Sequence, residues 1–551
     1  VKNLKISFST SASTIEAVSN ISFVVKNGEA LGILGESGSG KSVSALSIIG
    51  LVPPPGKIIG GSIKFFGKEV TSSSEAQLRS LRGSEISMVF QDPLTAFNPV
   101  YTVGQQLLHI LKTHKYKSRS EVYNRAIEVL KMVELPDPVR VMNAYPHELS
   151  GGMRQRALIG MALACEPKLL IADEPTTALD VTIQAQIVDL FHQLRDRLDL
   201  TLVYITHNLD LMAELCDRAI VMKKGCIVEE GPVQTLFQSP KHAYTKMLLD
   251  CVPRLNDRAV CGVKSLKKRQ TSSKNEASHL KRSDLEKSPV IEFRHVSKEF
   301  NAKRNFLSKL FNKNKVVSAV NDFSLRVFPG DIVGVVGESG SGKSTVAMLT
   351  LLLLRTSQGD IFYKGKKTTD FKNVDLDEFR KSVQIVFQDN QSALNPRKTI
   401  LKTLKEALLI RHGAIEGIDD MAQNLLLSMG LDSNILERYP HSLSGGQRQR
   451  VGIARAMAME PELIVADEPV SSLDVSLQSQ IVELFKTLHR QHNLTLLFIS
   501  HDLALVSHLC PRLIVMQNGQ IVETGRTSEI MANPAHSYTR KLINAVPKGV
   551  V

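Results

Sequence analysis

The sequence predicts an α/β fold made of two tandem P-loop NTPase domains. The octet GESGSGKS occurs at 35–42 and again, letter for letter, at 337–344. Each copy follows a short apolar run and precedes a helical one, which is the context that a phosphate-binding loop requires. Further along each half, an apolar run ends in Asp-Glu-Pro, as LLIADEP and then LIVADEP. Such runs are typical of buried parallel strands.

Composition limits the class of protein. The 551 residues are 43% hydrophobic and 22% charged, which indicates a globular chain of more than one domain. The most apolar run, Val346–Leu354, is too short to span a bilayer and is predicted to be a buried helix, and the N-terminal segment lacks the apolar core of a signal peptide. The net charge of +13 suits nucleic acid or an anionic membrane surface, but the low aromatic content argues against single-stranded nucleic acid.

Other segments recur in the same order, which indicates a duplicated domain. The segment 88–99 returns at 385–396, 145–156 returns at 439–450, and 204–209 returns at 498–503. The predicted domains are 1–250 and 290–551. Between them, 251–289 is predicted to be a basic flexible linker, because 254–287 is rich in Lys, Arg and Ser and has no aromatic residue. This basic run is either simply solvated or in contact with acidic lipid or nucleic acid.

The two octets are predicted to hold nucleotide phosphates through converging backbone N–H groups and a helix N-terminus. The lysine of each octet would reach the β- and γ-phosphates, and the last serine would ligate Mg²⁺. The alternative, a chance glycine-rich turn, is disfavoured because the motif occurs twice in the required context. The predicted residues are Gly35, Glu36, Ser37, Gly38, Ser39, Gly40, Lys41 and Ser42, and Gly337, Glu338, Ser339, Gly340, Ser341, Gly342, Lys343 and Ser344.

The carboxylates at the strand ends are predicted to bind the metal ion and to activate the attacking water. Asp173 and Asp467 are predicted to hold Mg²⁺ through water at the carboxyl edge of a sheet. The next residues, Glu174 and Glu468, are placed to polarise a water for attack on the γ-phosphate. The alternative is a structural one, in which these carboxylates form a salt bridge or cap a helix.

With the segments LSGGM and LSGGQ, the whole set resembles the ATP-binding cassette (ABC) family over nearly the entire chain. The resemblance implies two RecA-like α/β cores, each with an α-helical subdomain that carries the LSGG signature, and it implies ATP and Mg²⁺ as ligands. It also implies that the cassettes pair head to tail, so that each signature completes the ATP site of the other cassette. One departure is Met153, where the family commonly has Gln; both sites are still expected to hydrolyse ATP.

The same resemblance assigns further residues. Gln91 and Gln388 would sense Mg²⁺ and the γ-phosphate, His207 and His501 would contact the γ-phosphate, and Asp180 and Asp474 would couple the two sites. Phe8 and Phe300 are the candidates for stacking on adenine, although a core position is the alternative for each. The residues that would cap ATP are Ser150, Gly151 and Gly152, opposite Lys343, and Ser444, Gly445 and Gly446, opposite Lys41.

Each copy ends in a tail, at 231–249 and 525–543, that resembles the ATPases of oligopeptide, dipeptide and nickel importers. The fusion of two cassettes resembles most narrowly the single-chain ATPases of microcin C/oligopeptide importers, and the ATPases of glutathione importers are the alternative. This resemblance implies two transmembrane permease subunits, whose coupling helices would enter grooves near 91–99 and 388–396, and an extracytoplasmic substrate-binding protein. The location implied is the cytoplasmic face of the inner membrane, as a peripheral protein, and no nucleic acid partner is expected.

Further expectations concern a metal cluster, an inserted segment and the alternative functions. Only Cys251 and Cys261 lie near the first tail, so no iron–sulfur cluster is expected. The segment 302–315 is either a loop insertion that packs its own apolar stripe or a contact with membrane or partner. A tandem ATPase that acts on ribosomes or DNA remains an alternative function, and an exporter is disfavoured because it would more often carry its own transmembrane segments.

Overall fold

The computed structural model describes residues 1–9, 14–114, 118–177, 179–252, 288–301, 316–388, 393–414, 416–471 and 473–546. The chain divides into two compact units; residues 1–252 belong to the first, and residues 288–473 and 477–546 belong to the second. Residues 253–287, which form most of the predicted linker 251–289 and include Cys261, and the predicted insertion at 302–315 lie outside the described residues. The predicted domain limits and the expectation of no iron–sulfur cluster therefore stay predictions.

The first unit contains both strands and helices, with a run of helices between Val89 and Leu169. Its strands are β1 (Lys2–Ser9), β2 (Thr14–Ile21), β3 (Ala30–Leu34), β4 (Gly56–Ser62), β5 (Lys64–Phe65), β6 (Lys68–Glu69), β7 (Ile86–Val89), β8 (Leu169–Asp173), β9 (Thr201–Ile205), β10 (Arg218–Lys223) and β11 (Cys226–Pro232). Its helices are α1 (Lys41–Ile48), α2 (Glu75–Leu81), α3 (Pro93–Ala96), α4 (Val103–His114), α5 (Arg119–Met132), α6 (Pro138–Asn143), α7 (Gly151–Leu163), α8 (Val181–Leu198), α9 (Leu209–Leu215), α10 (Val233–Gln238) and α11 (Ala243–Asp250).

The main sheet of the first unit has the strand order β11-β10-β3-β9-β8-β7. Neighbouring strands from β10 to β7 are parallel, and β11 pairs antiparallel with β10. Strands β3, β8 and β9 are buried along their whole length, which confirms the prediction of buried parallel strands. Because parallel strands end at the same edge, the phosphate loop after β3 and the acidic end of β8 lie at one edge of the sheet.

A helical region and a small sheet accompany this core. Helices α4 and α5 bury Leu107, Leu111 and Val129 in a cluster that continues into α7 through Ile159. The small sheet, of order β2-β1-β4, is antiparallel. The helical region that carries the signature segment therefore shares one hydrophobic core with the sheet that carries the phosphate loop.

The second unit repeats this organisation. Its strands are β12 (Ile291–Asn301), β13 (Val316–Val327), β14 (Ile332–Val336), β15 (Gln358–Tyr363), β16 (Lys366–Lys367), β17 (Val383–Val386), β18 (Leu463–Asp467), β19 (Thr495–Ser500), β20 (Arg512–Gln517) and β21 (Gln520–Arg526). Its helices are α12 (Lys343–Thr350), α13 (Asn373–Ser382), α14 (Ile400–His412), α15 (Ile418–Ser428), α16 (Gly445–Met457), α17 (Val475–His492), α18 (Leu503–Leu509), α19 (Thr527–Ala532) and α20 (Ser537–Ala545). The main sheet has the order β17-β18-β19-β14-β20-β21, which is the same topology as in the first unit.

The apolar run Val346–Leu354 is a helix only in its first part, so the prediction of one buried helix is wrong for the rest. Helix α12 ends at Thr350, Leu352 adopts a left-handed φ of 55°, and Leu353 is 64% exposed. The Leu353 N–H donates back to the Met348 carbonyl at 2.9 Å. This geometry is a Schellman-type helix end, which local apolar composition does not encode. Within the described residues, no helix combines the length and apolarity that crossing a membrane requires.

Candidate functional site

The phosphate loop of the first unit lies between β3 and α1, as predicted. The loop packs tightly against backbone on one side, since a Cβ on Gly35 would lie 2.4 Å from the Met222 carbonyl oxygen. Gly40 adopts a left-handed φ of 99° as the residue that caps α1, a conformation that glycine adopts without strain. On the open side, a Cβ on Gly38 would meet nothing within 4 Å. The loop therefore leaves open space at Gly38, close to a helix N-terminus, which suits a phosphate group.

The lysine side chain of this loop donates hydrogen bonds to the backbone of the loop itself. Lys41 is only 5% exposed, and its Nζ donates hydrogen bonds to the carbonyl oxygens of Gly35 at 2.7 Å and Glu36 at 2.9 Å. Burial lowers the pKa of Lys41, and the carboxylates of Glu174 and Asp173 oppose that change. The ammonium group is thus held at the loop by carbonyls that bound phosphate oxygens can replace.

Ser42 and Asp173 are brought together from α1 and the end of β8. Ser42 Oγ donates to Asp173 Oδ1 at 3.0 Å, and Asp173 is 6% exposed. Burial raises the pKa of Asp173 to about 6; the Glu174 carboxylate adds to the rise, while the Ser42 bond and the Lys41 charge oppose it. A hydroxyl beside a buried carboxylate is a donor set of the hard oxygen type that Mg²⁺ prefers, so these residues fit the predicted metal. Mg²⁺ bound there would neutralise charge on the β- and γ-phosphates.

Glu174 is the most connected carboxylate of the site. Its Oε2 accepts hydrogen bonds from Gln91 Nε2 at 2.8 Å and Thr177 Oγ1 at 2.9 Å, and its Oε1 lies 3.3 Å from His207 Nδ1. Burial raises the pKa of Glu174, but the hydrogen bond and charge of His207, with Thr177 and Lys41, bring the pKa below its ordinary value. The carboxylate therefore stays ionised at neutral pH, as an acceptor for a proton from water must.

The backbone of Glu174 is unusual. Its φ is 45°, in the left-handed region, and its N–H donates to the Ile205 carbonyl of the neighbouring strand at 2.9 Å. A non-glycine residue in this region costs about 1–3 kcal/mol and is often found where function demands a particular side-chain direction. Glu468 has a φ of 46° and the same type of bond, to Ile499, at 2.9 Å. The strain is thus present in both units.

The second unit builds the same site from its own residues. Lys343 Nζ donates to the Gly337 and Glu338 carbonyls at 2.7 and 2.8 Å. Ser344 Oγ donates to Asp467 Oδ1 at 3.4 Å, somewhat longer than in the first unit. Burial is the main cause that raises the pKa of Asp467.

The second glutamate is also held by a glutamine and a histidine. Glu468 Oε2 accepts from Gln388 Nε2 at 3.0 Å and lies 3.2 Å from His501 Nδ1. Burial alone lowers the pKa of His501, but the hydrogen bond and charge of Glu468 reverse this and raise it. Burial likewise raises the pKa of Glu468, yet His501 and Lys343 bring it below the ordinary value. The pair therefore favours a charged imidazole beside a charged carboxylate.

The signature segments begin helices in both units. Ser150 caps α7 by accepting a hydrogen bond from the Met153 N–H at 3.3 Å, and Ser444 caps α16 by accepting one from the Gln447 N–H at 3.2 Å. In the second unit Gln447 Oε1 also accepts from the Ser444 N–H at 3.0 Å, which completes a capping box. Met153 lacks such an acceptor, so the cap of α7 is one-sided.

The adenine-stacking candidates differ in their surroundings. Phe8 on β1 packs against the hydrophobic core of the first unit. Phe300 on β12 is 40% exposed, and Lys298 Nζ lies 5.3 Å from its ring centre. Their predicted contact with adenine remains a prediction, as do the predicted roles of Asp180, Asp474, Gly151, Gly152, Gly445 and Gly446.

Sequence reasoning missed several residues that contact the site. Thr177 supports Glu174, and in each unit a tail tyrosine accepts a hydrogen bond from the phosphate loop: Tyr244 from the Glu36 N–H at 3.2 Å and Tyr538 from the Glu338 N–H at 2.9 Å. A signal for the tyrosines existed, because HAYT at 242–245 recurs as HSYT at 536–539. The tail sequences indicate the importer type, but local sequence does not show that the repeated tyrosine contacts the phosphate loop.

Comparisons with known proteins give matches in both halves of the chain. The ABC transporter family model matches residues 18–177 and 320–471, and the model of the oligopeptide/dipeptide transporter C-terminal region matches 228–278 and 522–550. The chain is 41% identical to the glutathione import ATP-binding protein GsiA of Shigella boydii serotype 4, over 99% of this chain and 89% of the relative. GsiA of Escherichia coli strain K12 gives the same identity and coverage. A solved dimeric cassette, MJ0796, is 28% identical over 43% of this chain and 98% of its own, at a TM-score of 0.39.

Proposed function

The chain belongs to the ABC transporter family of ATPases, and from this premise we propose that it is the energy-coupling subunit of an importer for peptide-like solutes. The observation that carries the proposal is the doubled set of a P-loop lysine, a Ser–Asp pair and a Glu held by Gln and His. Neither unit lacks a member of this set. Both sites are therefore proposed to hydrolyse ATP.

The residues divide the reaction between them. Lys41 would exchange its loop carbonyls for phosphate oxygens, Ser42 and Asp173 would hold Mg²⁺, and Glu174 would orient and polarise the attacking water. His207 holds one oxygen of Glu174, and Gln91 holds the other. Phosphoryl transfer depends mostly on positioning and on neutralising charge, and this arrangement supplies both.

We further propose that each ATP site is completed by the signature helix of the other cassette. The N-termini of α7 and α16 each offer backbone N–H groups and a positive helix dipole, which suit the γ-phosphate. In this arrangement Ser150 serves the site of Lys343, and Ser444 serves the site of Lys41. Asp180 and Asp474, at the starts of α8 and α17, are proposed to couple the two sites.

A groove in the first unit supports a permease partner. The groove has a volume of about 550 Å³ and is lined by Asn98, Tyr101, Gln105, Gln106, His109, Ile110 and Met161. Beside it, Val100 is 70% exposed and Tyr101 is 52% exposed. A groove that combines polar side chains with the apolar Ile110 and Met161 suits an amphipathic helix, and it shares Asn98 with the predicted coupling-helix groove near 91–99. The partners proposed are two transmembrane permease subunits and, through them, an extracytoplasmic binding protein, so the chain would lie at the cytoplasmic face of the inner membrane.

The solute class follows from the tails and the relatives. The match to the oligopeptide/dipeptide transporter C-terminal region in both tails favours a peptide importer. Among peptides, glutathione is the first solute to test, because the relatives described above are named for its import. An oligopeptide or microcin C-like solute is the second.

Co-purification tests the partner class. The full chain, expressed with its neighbouring permease genes and isolated from detergent-solubilised membranes, is expected to retain two permeases, and a Tyr101→Asp variant is expected to lose one of them. A chain that retains ribosomes or DNA instead of permeases would support the alternative, a tandem ATPase that acts on nucleic acid.

Uptake of labelled glutathione and of a labelled oligopeptide then tests the solute. Cells with the wild-type chain are compared with cells that carry Glu174→Gln and Glu468→Gln together. Uptake that does not depend on these two glutamates would contradict the energy-coupling role.

A further inference from the structure

The C-terminal tail of each unit is built onto the phosphate loop through one tyrosine. In the first unit, the carboxylate of Glu229 accepts hydrogen bonds from the backbone N–H groups of Lys241 and His242 at 2.8 and 3.1 Å. His242 Nδ1 then accepts from the Tyr244 N–H at 3.1 Å and caps α11. These contacts fix the start of the helix, and they place the Tyr244 ring, 3% exposed, against the loop.

The second unit repeats every step with its own residues. Glu523 accepts from the N–H groups of Ala535 and His536 at 2.9 and 3.1 Å, and His536 Nδ1 accepts from the Tyr538 N–H at 3.2 Å. Tyr538 is 5% exposed. Since the same chain of contacts is built twice from non-identical tails, it is not a property of one local sequence.

The tyrosine and the P-loop lysine hold the same peptide group. The peptide between Gly35 and Glu36 donates its N–H to the Tyr244 hydroxyl at 3.2 Å, and it accepts Lys41 Nζ on its carbonyl at 2.7 Å. In the second unit, the peptide between Gly337 and Glu338 donates to Tyr538 at 2.9 Å and accepts Lys343 at 2.7 Å. Rotation of this peptide would therefore move the lysine acceptor and break the tyrosine bond together.

The ring environment supports a role for the hydroxyl. Burial raises the pKa of Tyr244 to about 12, so the hydroxyl keeps its proton at neutral pH and remains a neutral acceptor for the loop N–H. Lys223 Nζ lies 4.4 Å from the centre of the Tyr244 ring, which adds a cation–π contact in the first unit.

We propose that Tyr244 and Tyr538 are positioning residues for ATP binding, because each hydroxyl fixes the peptide that receives the P-loop lysine. Packing of the tail thereby helps to hold the phosphate loop in the conformation that binds phosphate. This inference rests on the proposed binding of ATP by the two loops. It goes beyond that proposal by assigning a role to residues outside every nucleotide motif of the sequence.

The test removes only the hydroxyl. Tyr244→Phe, Tyr538→Phe and the double variant keep the rings and their packing. Loss of one hydrogen bond that pre-orients the loop is expected to raise the KM for ATP about five-fold, with kcat within about two-fold of the wild type. Tyr363→Phe is the matched control, because this buried tyrosine lies on β15, outside the phosphate loop and the tail, and packs its ring on Phe379.

The outcomes are separable. A KM rise in the double variant, with a melting temperature that changes no more than in Tyr363→Phe, supports the inference. An unchanged KM in the double variant, while the wild type hydrolyses ATP, overturns it, and so does a fall in melting temperature without a change in KM. If the wild-type chain neither binds nor hydrolyses ATP, the proposed function itself fails, and the wild-type measurement shows this before any variant is compared.

Discussion

Gln91 donates a hydrogen bond from Nε2 to Glu174 Oε2 at 2.8 Å. The residue predicted to sense Mg²⁺ and the γ-phosphate thus holds the residue predicted to polarise water. His207 contacts the other carboxylate oxygen at 3.3 Å, so Glu174 is anchored at both oxygens by side chains that are themselves predicted to face the nucleotide. Thr177 Oγ1 donates to the same oxygen as Gln91, at 2.9 Å, so Glu174 would keep a hydrogen bond on Oε2 if Gln91 turned toward a bound Mg²⁺.

Replacing the base tests this arrangement first. Glu174→Gln and Glu468→Gln should each lower kcat for ATP hydrolysis strongly; general-base catalysis contributes about 10²–10⁴-fold at a site. ATP binding should persist, because Lys41 and Lys343 remain. Steady-state hydrolysis and equilibrium binding of a labelled nucleotide measure the two effects. If either single variant hydrolyses ATP at the wild-type rate, the model of two equivalent sites is wrong.

The raised pKa of Asp173 predicts a pH-dependent cost to stability. Burial raises the folded-state pKa to about 6, whereas the unfolded value is about 3.9. The folded state therefore binds the proton more tightly, and the free energy of unfolding falls as pH rises from about 4 to 6. Asp173→Asn removes the charge, so without nucleotide it should stabilise the protein by about 2–3 kcal/mol at pH 7.5 and by little near pH 4.

Urea unfolding across this pH range measures the Asp173 effect. The Mg²⁺ dependence of ATP binding at the first site should weaken in the same variant. Asp467→Asn, at the corresponding position of the second unit, should change stability in the same direction. If Asp173→Asn is less stable than the wild type at pH 7.5, the buried charge of Asp173 does not destabilise the folded protein.

The one-sided cap of α7 predicts opposite effects of exchanging two residues. Met153→Gln would supply the missing acceptor for the Ser150 N–H and should stabilise the first unit by about 0.5–1 kcal/mol, whereas Gln447→Met should destabilise the second unit by a similar amount. Calorimetry of each variant measures the change. Shifts of the same sign in both variants would show that the capping box does not determine the stability of these helix starts.

The second glycine of each signature is predicted to be required by packing as well as by ligand contact. A Cβ on Gly152 would lie 2.9 Å from Ile183 Cγ2, and a Cβ on Gly446 would lie 3.0 Å from Leu477 Cδ1. Gly152→Ala should destabilise the first unit by about 1–3 kcal/mol. The double variant Gly152→Ala, Ile183→Ala should recover part of this loss, measured by urea unfolding. If the double variant is no more stable than Gly152→Ala, the close approach to Ile183 is not the cause.

Much of the architecture is readable from local sequence. The strand–loop–helix around GESGSGKS and the buried runs that end in Asp-Glu are dictated by apolar continuity and glycine spacing, both of which act over a few residues. These features also fix the duplicated topology, since the two copies carry the same motifs in the same order. The helix predicted over Val346–Leu354 is the counterexample: the helix ends at Thr350, and Leu352 is left-handed, which composition alone does not reveal.

What the sequence by itself determined is therefore which residues can do phosphate chemistry, because those motifs are short and their chemistry is local. Only the tertiary structure decided which other side chains hydrogen-bond to these residues. Glu174 lies between Gln91 and His207, and the Glu36 N–H finds Tyr244 some two hundred residues later in the chain, at a separation of 208. Such contacts form where separate strands end at one edge of a sheet and a distant helix packs beside them, and the physical reason is burial of the shared core rather than any local propensity.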